Sequence, residues 1–258
     1  MKINVTKVKN INQRFPLRKI LATIVVLLAC SIFLQSLKFV FHLQFTAMNF
    51  LIFLFNVDQE RNIPTFFSVI LLLSATWQLY SISIQKSEKK NKYRFHWWLM
   101  TILFFFVTAD EFMATHEMIS EIVRDKYHVT GFLYYAWVIP FAMLVGGLTI
   151  LYTPFIFRHL PKQTRNLMIV SAVLYIGGAI FMEMVGGYFY LQGGTENMTN
   201  AFLTTIEEGM EMTGIAVFIY TLSQYKITMD RKSMEIVDKK RSASLPENPA
   251  IQQGKKAI

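Results

Sequence analysis

Cysteine occurs once in the chain, as Cys30. A single thiol excludes an intrachain disulfide and any multi-cysteine metal site. Charge is scarce as well: 17% of the residues are Asp, Glu, Lys or Arg, where a soluble domain carries about 25%. The scarcity is also one-sided. No acid accompanies Lys2, Lys7, Lys9, Arg14, Arg18 and Lys19 in the N-terminal arm. Basic residues are nearly absent from every second connection farther on. "LLAC" (Leu27 to Cys30) resembles a lipoprotein cleavage box, but the apolar run continues past Cys30. The segment therefore reads as an uncleaved anchor and not as a removable leader.

What the chain does have is apolar length. Hydrophobic residues make up 53% of it, and the mean hydropathy is +0.35. A bilayer span needs roughly 20 consecutive apolar residues, and six segments qualify: 20–42, 63–84, 97–120, 131–156, 166–191 and 199–224. Basic loops stay on the cytoplasmic side. The N-terminal arm, the loop with Lys86, Lys89, Lys90, Lys92 and Arg94, the loop with Arg158, Lys162 and Arg165, and the tail after Tyr225 hold all but four of the 26 basic residues. The expected fold class is therefore all-α: a polytopic membrane protein with six transmembrane helices and both termini cytoplasmic. The net charge of +9 follows from this sidedness, and nucleic acid is not an expected partner. The lipid bilayer is, and oligomeric state cannot be read.

Residues 1–225 form one membrane domain in this reading. Residues 226–258 turn polar and basic, lose all apolar period and read as a disordered cytoplasmic tail. Its Lys239, Lys240 and Arg241 suit anionic headgroups. Trp97, Trp98, Tyr134, Tyr135 and Trp137 read as interfacial belts, and His96, His128 and His159 as interfacial or solvated. Thr46 to Phe55 is too short to cross and reads as an interfacial or re-entrant piece. In "NIPTFFS", Pro64 suits a first helical turn and Asn62 its cap. Asp58 and Glu60 stand just before it, as an acidic loop or the entrance to a site.

Seven carboxylates fall inside the expected spans: Asp110, Glu111, Glu117, Glu183, Glu207, Glu208 and Glu211. Their three spans contain no Lys or Arg. A charged acid at mid-bilayer costs about 2.5–3.5 kcal/mol on insertion scales, so seven would cost on the order of 20 kcal/mol. That exceeds the 5–15 kcal/mol of an ordinary fold. Protons, a bound cation or a water-filled cavity must neutralise them. With a rise of 1.5 Å per residue, Glu111 lies about 21 Å from the inner end of its span, and Glu207 and Glu211 roughly 12–18 Å from the outer surface. The group thus sits in the outward half of the core. Asp110 and Glu117, seven apart, are expected on one stripe; Glu207, Glu208 and Glu211 span one turn. Gly177, Gly178, Gly186, Gly187, Gly209 and Gly214 allow close helix approach. "TADEFM" (Thr108 to Met113) and "TIEEGM" (Thr205 to Met210) echo one another, as the halves of an inverted repeat would.

His116 adds one nitrogen to this oxygen-rich set. "HEMIS" lacks the second histidine of a zincin, and a di-iron site would want more histidines. Oxygen donors with little nitrogen favour Mg²⁺, Ca²⁺, Mn²⁺ or Fe²⁺. The candidate metal residues are Asp110, Glu111, His116, Glu117, Glu183, Glu207, Glu208 and Glu211, and no catalytic residue is assigned.

Three motifs, Asn62-x-Pro64-Thr65, Asp110-Glu111…His116-Glu117 and Glu207-Glu208…Glu211-Met212-x-Gly214, together resemble a group of multi-pass bacterial membrane proteins of unknown function. The resemblance spans roughly residues 58–215 and implies a bacterial inner-membrane location, with no activity attached. The leading functional expectation is cation- or proton-coupled transport or ion handling. The alternatives are a membrane-embedded metalloenzyme acting on a lipid or quinone, and a non-catalytic structural or sensory protein.

Overall fold

The computed structural model describes residues 16–43, 45–194 and 197–243, without the side chains of Glu117, Lys232 and residues 236–243. Among the described residues every regular element is helical. In chain order these are α1 (Leu17–Phe39), α2 (Thr46–Phe55), α3 (Ile63–Glu88), α4 (Arg94–Met113), α5 (Thr115–Tyr127), a 3₁₀ turn (Gly131–Leu133), α6 (Val138–His159), α7 (Lys162–Ile176), a π-helical turn (Gly177–Met182), α8 (Glu183–Gly193) and α9 (Met198–Ala243). The helices up to Ser223 form one compact unit, and α9 from Gln224 onward belongs to a second.

Among the described residues four helices are long and apolar enough to cross a membrane: Leu17–Phe39, Ile63–Glu88, Val138–His159 and the combined Lys162–Gly193. Arg94–Met113 with Met118–Tyr127 makes a fifth candidate, bent by 83°. Side chains such as Phe106, Met143, Ile150 and Phe181 stand out from the bundle, as they must where the surrounding solvent is hydrocarbon. Buried faces are narrow by contrast. On α1 the stripe is Ile24, Leu27, Ser31 and Gln35, at helical spacing.

The core is built on α3 and α9. Leu72, Ala75, Leu79 and Ile82 of α3, and Met212, Ala216, Ile219 and Leu222 of α9, are almost wholly buried. These two helices run parallel. Ser223 Oγ donates to Gln78 Oε1 at 3.0 Å, and some twenty residues earlier on each segment Thr204 Oγ1 donates to Asp58 Oδ1 at 3.2 Å. Helix α4 runs antiparallel to α3, with Ser83 paired to Thr101 at 3.0 Å and Thr76 to Thr108 at 3.3 Å. Helix α7 lies antiparallel to α9 at close range. A Cβ on Gly214 would stand 2.7 Å from Tyr175 N, and one on Gly178 2.9 Å from Glu207 O. Small residues let these backbones approach, as the sequence suggested.

The start of α3 also follows its sequence. Asn62 caps it by accepting from Thr65 N at 3.2 Å, with Pro64 in the first turn. The same side chain donates to Phe53 O at 3.0 Å and Asn56 O at 2.6 Å. It thereby ties the end of the short α2 to the start of α3.

Other expectations need correction. Helix α4 does not continue to 120: it ends at Met113, and Ala114 takes a left-handed conformation (φ 53°). Asp110 and Glu117 therefore do not share one helical stripe. The two echoing hexapeptides also differ locally, since "TADEFM" ends at this break while "TIEEGM" lies inside unbroken α9. Trp97 is fully buried, edge-on to Phe155 at 5.2 Å, and no belt residue. His96 stacks on Phe155 at 5.2 Å and His159 lies 4.6 Å from Tyr93, so both are half-buried and pack in an aromatic cluster. Helix α9 continues past 225 to Ala243, so residues 226–243 are helical where the sequence read as disordered. Residues 1–15 and 244–258 lie outside the described residues.

Candidate functional site

A polar cavity of about 140 Å³ opens where five segments of the chain meet. That volume holds several waters. The α2–α3 connection contributes Val57, Asp58 and Glu60, and α5 contributes His116 and Ser120. The approach to α6 brings Tyr135 and Trp137; α8 brings Glu183, Gly186 and Tyr190. Asn200, Thr204, Glu207 and Glu208 of α9 complete the wall. None of these lining residues is Lys or Arg. The two residues proposed as an entrance, Asp58 and Glu60, are thus in the wall itself.

The break at Ala114 shapes one side. Because α5 starts afresh at Thr115, its first N–H groups lack partners within the helix. Asp110 supplies one: its Oδ1 accepts from His116 N at 3.0 Å, and its Oδ2 lies 3.1 Å from His116 Nδ1. One carboxylate therefore caps the new helix and orients the imidazole of its second residue. With Nδ1 engaged, Nε2 is the ring nitrogen left for chemistry. Burial alone would lower the His116 pKa. The Asp110 hydrogen bond and the charges of Asp110, Glu183 and Glu60 outweigh it, raising the value to about 8 from the usual 6.5.

Trp137 links this side to the next. Its ring lies 5.3 Å from that of His116, and its Nε1 donates to Glu183 Oε1 at 3.0 Å. Its backbone N donates to Ser120 Oγ at 3.4 Å. Glu183 and Glu207 line the same wall, within electrostatic reach of one another. Gly187 seats α8 against the loop before α6, since a Cβ there would stand 3.1 Å from Tyr134 Cβ and 3.2 Å from Tyr135 Cδ2. Burial first, then the charges of Glu183, Asp58 and Glu207, push the Tyr135 hydroxyl above its usual pKa. It remains a hydrogen-bond donor across the neutral range.

Glu111 and Glu211 lie behind the wall. Glu111 lies within electrostatic reach of Glu60, His116 and Asp110. Glu211 feels Glu111, Glu183, Asp110 and Glu60. Carboxylates from the α2–α3 loop, α4, α8 and α9 thus lie within electrostatic reach of one another. They do not form one ligand shell. Among the described residues, no three His, Cys, Asp or Glu side chains are grouped so as to hold a metal ion. The Glu117 side chain lies outside the described residues.

Tyr190, Asn200 and Thr204 were not singled out in the sequence, and Tyr135 and Trp137, read there as belt residues, line the wall. Two of them had a signal: Asn200 and Thr204 precede Glu207, Glu208 and Glu211 on one helical stripe. An indole N–H away from water also needs an acceptor, which for Trp137 is Glu183.

No curated protein and no solved structure matches the chain. A family model described as a domain of unknown function (DUF8692) matches residues 19–225, which include every residue of the cavity wall. The chain belongs to that family.

Proposed function

We propose that the cavity is a water-accessible binding site for a small cation or protons, and that the protein couples such binding to transport or ion handling. The observation that carries this reading is the wall itself: Asp58, Glu60, Glu183, Glu207 and Glu208 face one polar space in which His116 is the only basic side chain. Such a group attracts positive charge, and a low-dielectric surround strengthens that attraction. Hard divalent ions, Mg²⁺, Ca²⁺, Mn²⁺ or Fe²⁺, suit carboxylate oxygen donors.

The reading goes with six crossings: α1, α3, α4, α6, α7 with α8, and the first half of α9. The last carries Glu207, Glu208 and Glu211, which lower its hydropathy; the first two line the site and Glu211 lies behind it. Both termini are then cytoplasmic and the cavity opens on the opposite side, in a bacterial inner membrane.

The test is proton and divalent-cation flux in liposomes holding wild type or Glu208→Gln. Wild type should show flux driven by a pH gradient that Glu208→Gln loses. The proposal fails if the substitution alters neither flux, proton uptake nor cation binding. A second reading, a metalloenzyme acting on a lipid or quinone, draws on the Asp110–His116 pair, because a carboxylate behind a histidine commonly orients a metal ligand. Stoichiometric metal lost in Glu111→Gln and Glu208→Gln, without flux, would favour it.

A further inference from the structure

A second cavity, of about 750 Å³, lies among the membrane-spanning helices, between α4, α6 and α7 with its floor on α9. Its size is that of a pocket for a molecule of several dozen atoms. Five lining residues carry hydroxyls, and four of these already donate to backbone carbonyls: Thr149 to Val145, Tyr152 to His96, Thr153 to Thr149 and Ser171 to Gly214. The rest of the wall is almost entirely apolar. Water therefore finds few partners here, and a dry void of this size would leave its lining without contacts. The groove opens between helices with exposed apolar side chains, and hydrocarbon is the chemistry that suits it.

Length and charge narrow the occupant. On α6 the wall extends from Val145 to Phe157, about 18 Å at the helical rise. That is close to one leaflet, half of a ~30 Å core. One end is closed by Phe157, and the guanidinium of Arg165 lies over that ring at 5.3 Å. Arg158 and Lys162 share the connection, and no acid stands between Phe157 and Arg165. An apolar slot one leaflet deep, with a cationic lip, complements an anionic phospholipid.

We propose that this groove holds one acyl chain of an anionic phospholipid whose phosphate rests on Arg165 and its basic neighbours. The site is separate from the acidic cavity and does not depend on its reading. The lipid would wedge α6 against α4 and α7, filling space that the side chains leave open.

The test titrates delipidated full-length protein in detergent with dioleoylphosphatidylglycerol or dioleoylphosphatidylcholine and counts bound lipid by native mass spectrometry. Wild type should retain one phosphatidylglycerol with a preference of about tenfold, in line with a gain of this order from one or two basic side chains at an anionic headgroup. Arg165→Gln, an unthreatening change at the lip, should reduce the preference to near unity while phosphatidylcholine binding persists. Ala172→Trp, placed in the groove wall, should abolish both, and Ala172→Leu should weaken both where the larger plug does not fold. Glu208→Gln should change neither. Equal binding of the two lipids by wild type, an unchanged preference in Arg165→Gln, or full binding by both Ala172 variants would overturn the proposal. So would a neutral isoprenoid quinone as the molecule that copurifies in the groove.

Discussion

Two glycines on the same transmembrane segment should respond to alanine with opposite signs. At Gly178 an added Cβ would stand 2.7 Å from Glu211 Cγ, 2.9 Å from Glu207 O and 3.2 Å from Glu211 N. Two of those atoms are α9 backbone and cannot swing aside, so the helices must part by several tenths of an ångström. Overpacking of this kind costs about 1–3 kcal/mol. Removing a glycine from a helix returns roughly 0.5–1 kcal/mol. The net expectation for Gly178→Ala is a loss of about 1–2 kcal/mol. At Gly186, eight residues on, nothing lies within 4 Å of the added carbon. There only the propensity gain remains, and Gly186→Ala should stabilise by up to about 1 kcal/mol. Unfolding midpoints in mixed dodecylmaltoside and SDS micelles, followed by tryptophan fluorescence, measure both. Because Gly178 abuts the residues that hold Glu207, its variant should also shift Glu207 in the wall and reduce cation binding. Equal shifts for the two variants, or a stabilised Gly178→Ala, would refute the close approach of the π turn to α9.

Asn62→Ala should cost about 1–3 kcal/mol in the same unfolding assay, combining a lost helix cap with the donor lost to Phe53 O, while Asn56 O keeps Gln59 N. Asn62→Asp, which keeps the acceptor, should recover only part of that, and wild-type stability in Asn62→Ala would rule out the tie between α2 and α3. His116 should titrate near pH 8 by NMR in chelator-treated micelles, and Asp110→Asn should lower that midpoint; no change would deny the pairing. A folded pKa above the usual 6.5 stabilises the protonated form. Its contribution, about 2 kcal/mol at most, is therefore complete below about pH 6.5 and lost as pH rises through about 8.

The bundle was readable because long apolar runs have few alternatives to spanning a membrane, and α3 begins at Asn62 and Pro64 as such residues dictate. The meeting of Glu183 with Glu207 was readable in outline, since isolated acids in an apolar slab cost too much. The break after Met113 was not, because Ala114 is neither glycine nor asparagine and nothing local marks it for a left-handed turn. That break decided the site: it detached Glu117 from the stripe of Asp110 and swung His116 back onto the Asp110 carboxylate. Trp137 and Tyr135 were misassigned because an aromatic side chain near a span end looks the same whether it faces headgroups or a carboxylate.

The π turn at Gly177–Met182 sets which way its segment looks. Ser171, Tyr175 and Gly178 meet α9, and in a regular helix that line would pass on to residues 182 and 185. The surplus residue shifts it to Glu183 and Gly187, which meet Trp137 and Tyr134. Straightening the turn at constant length would rotate Glu183 by about 100° and retire it from the cavity, whereas shortening the turn by one residue would leave it facing inward. The phase of the helix, and not only the identity of residue 183, determines whether that carboxylate takes part.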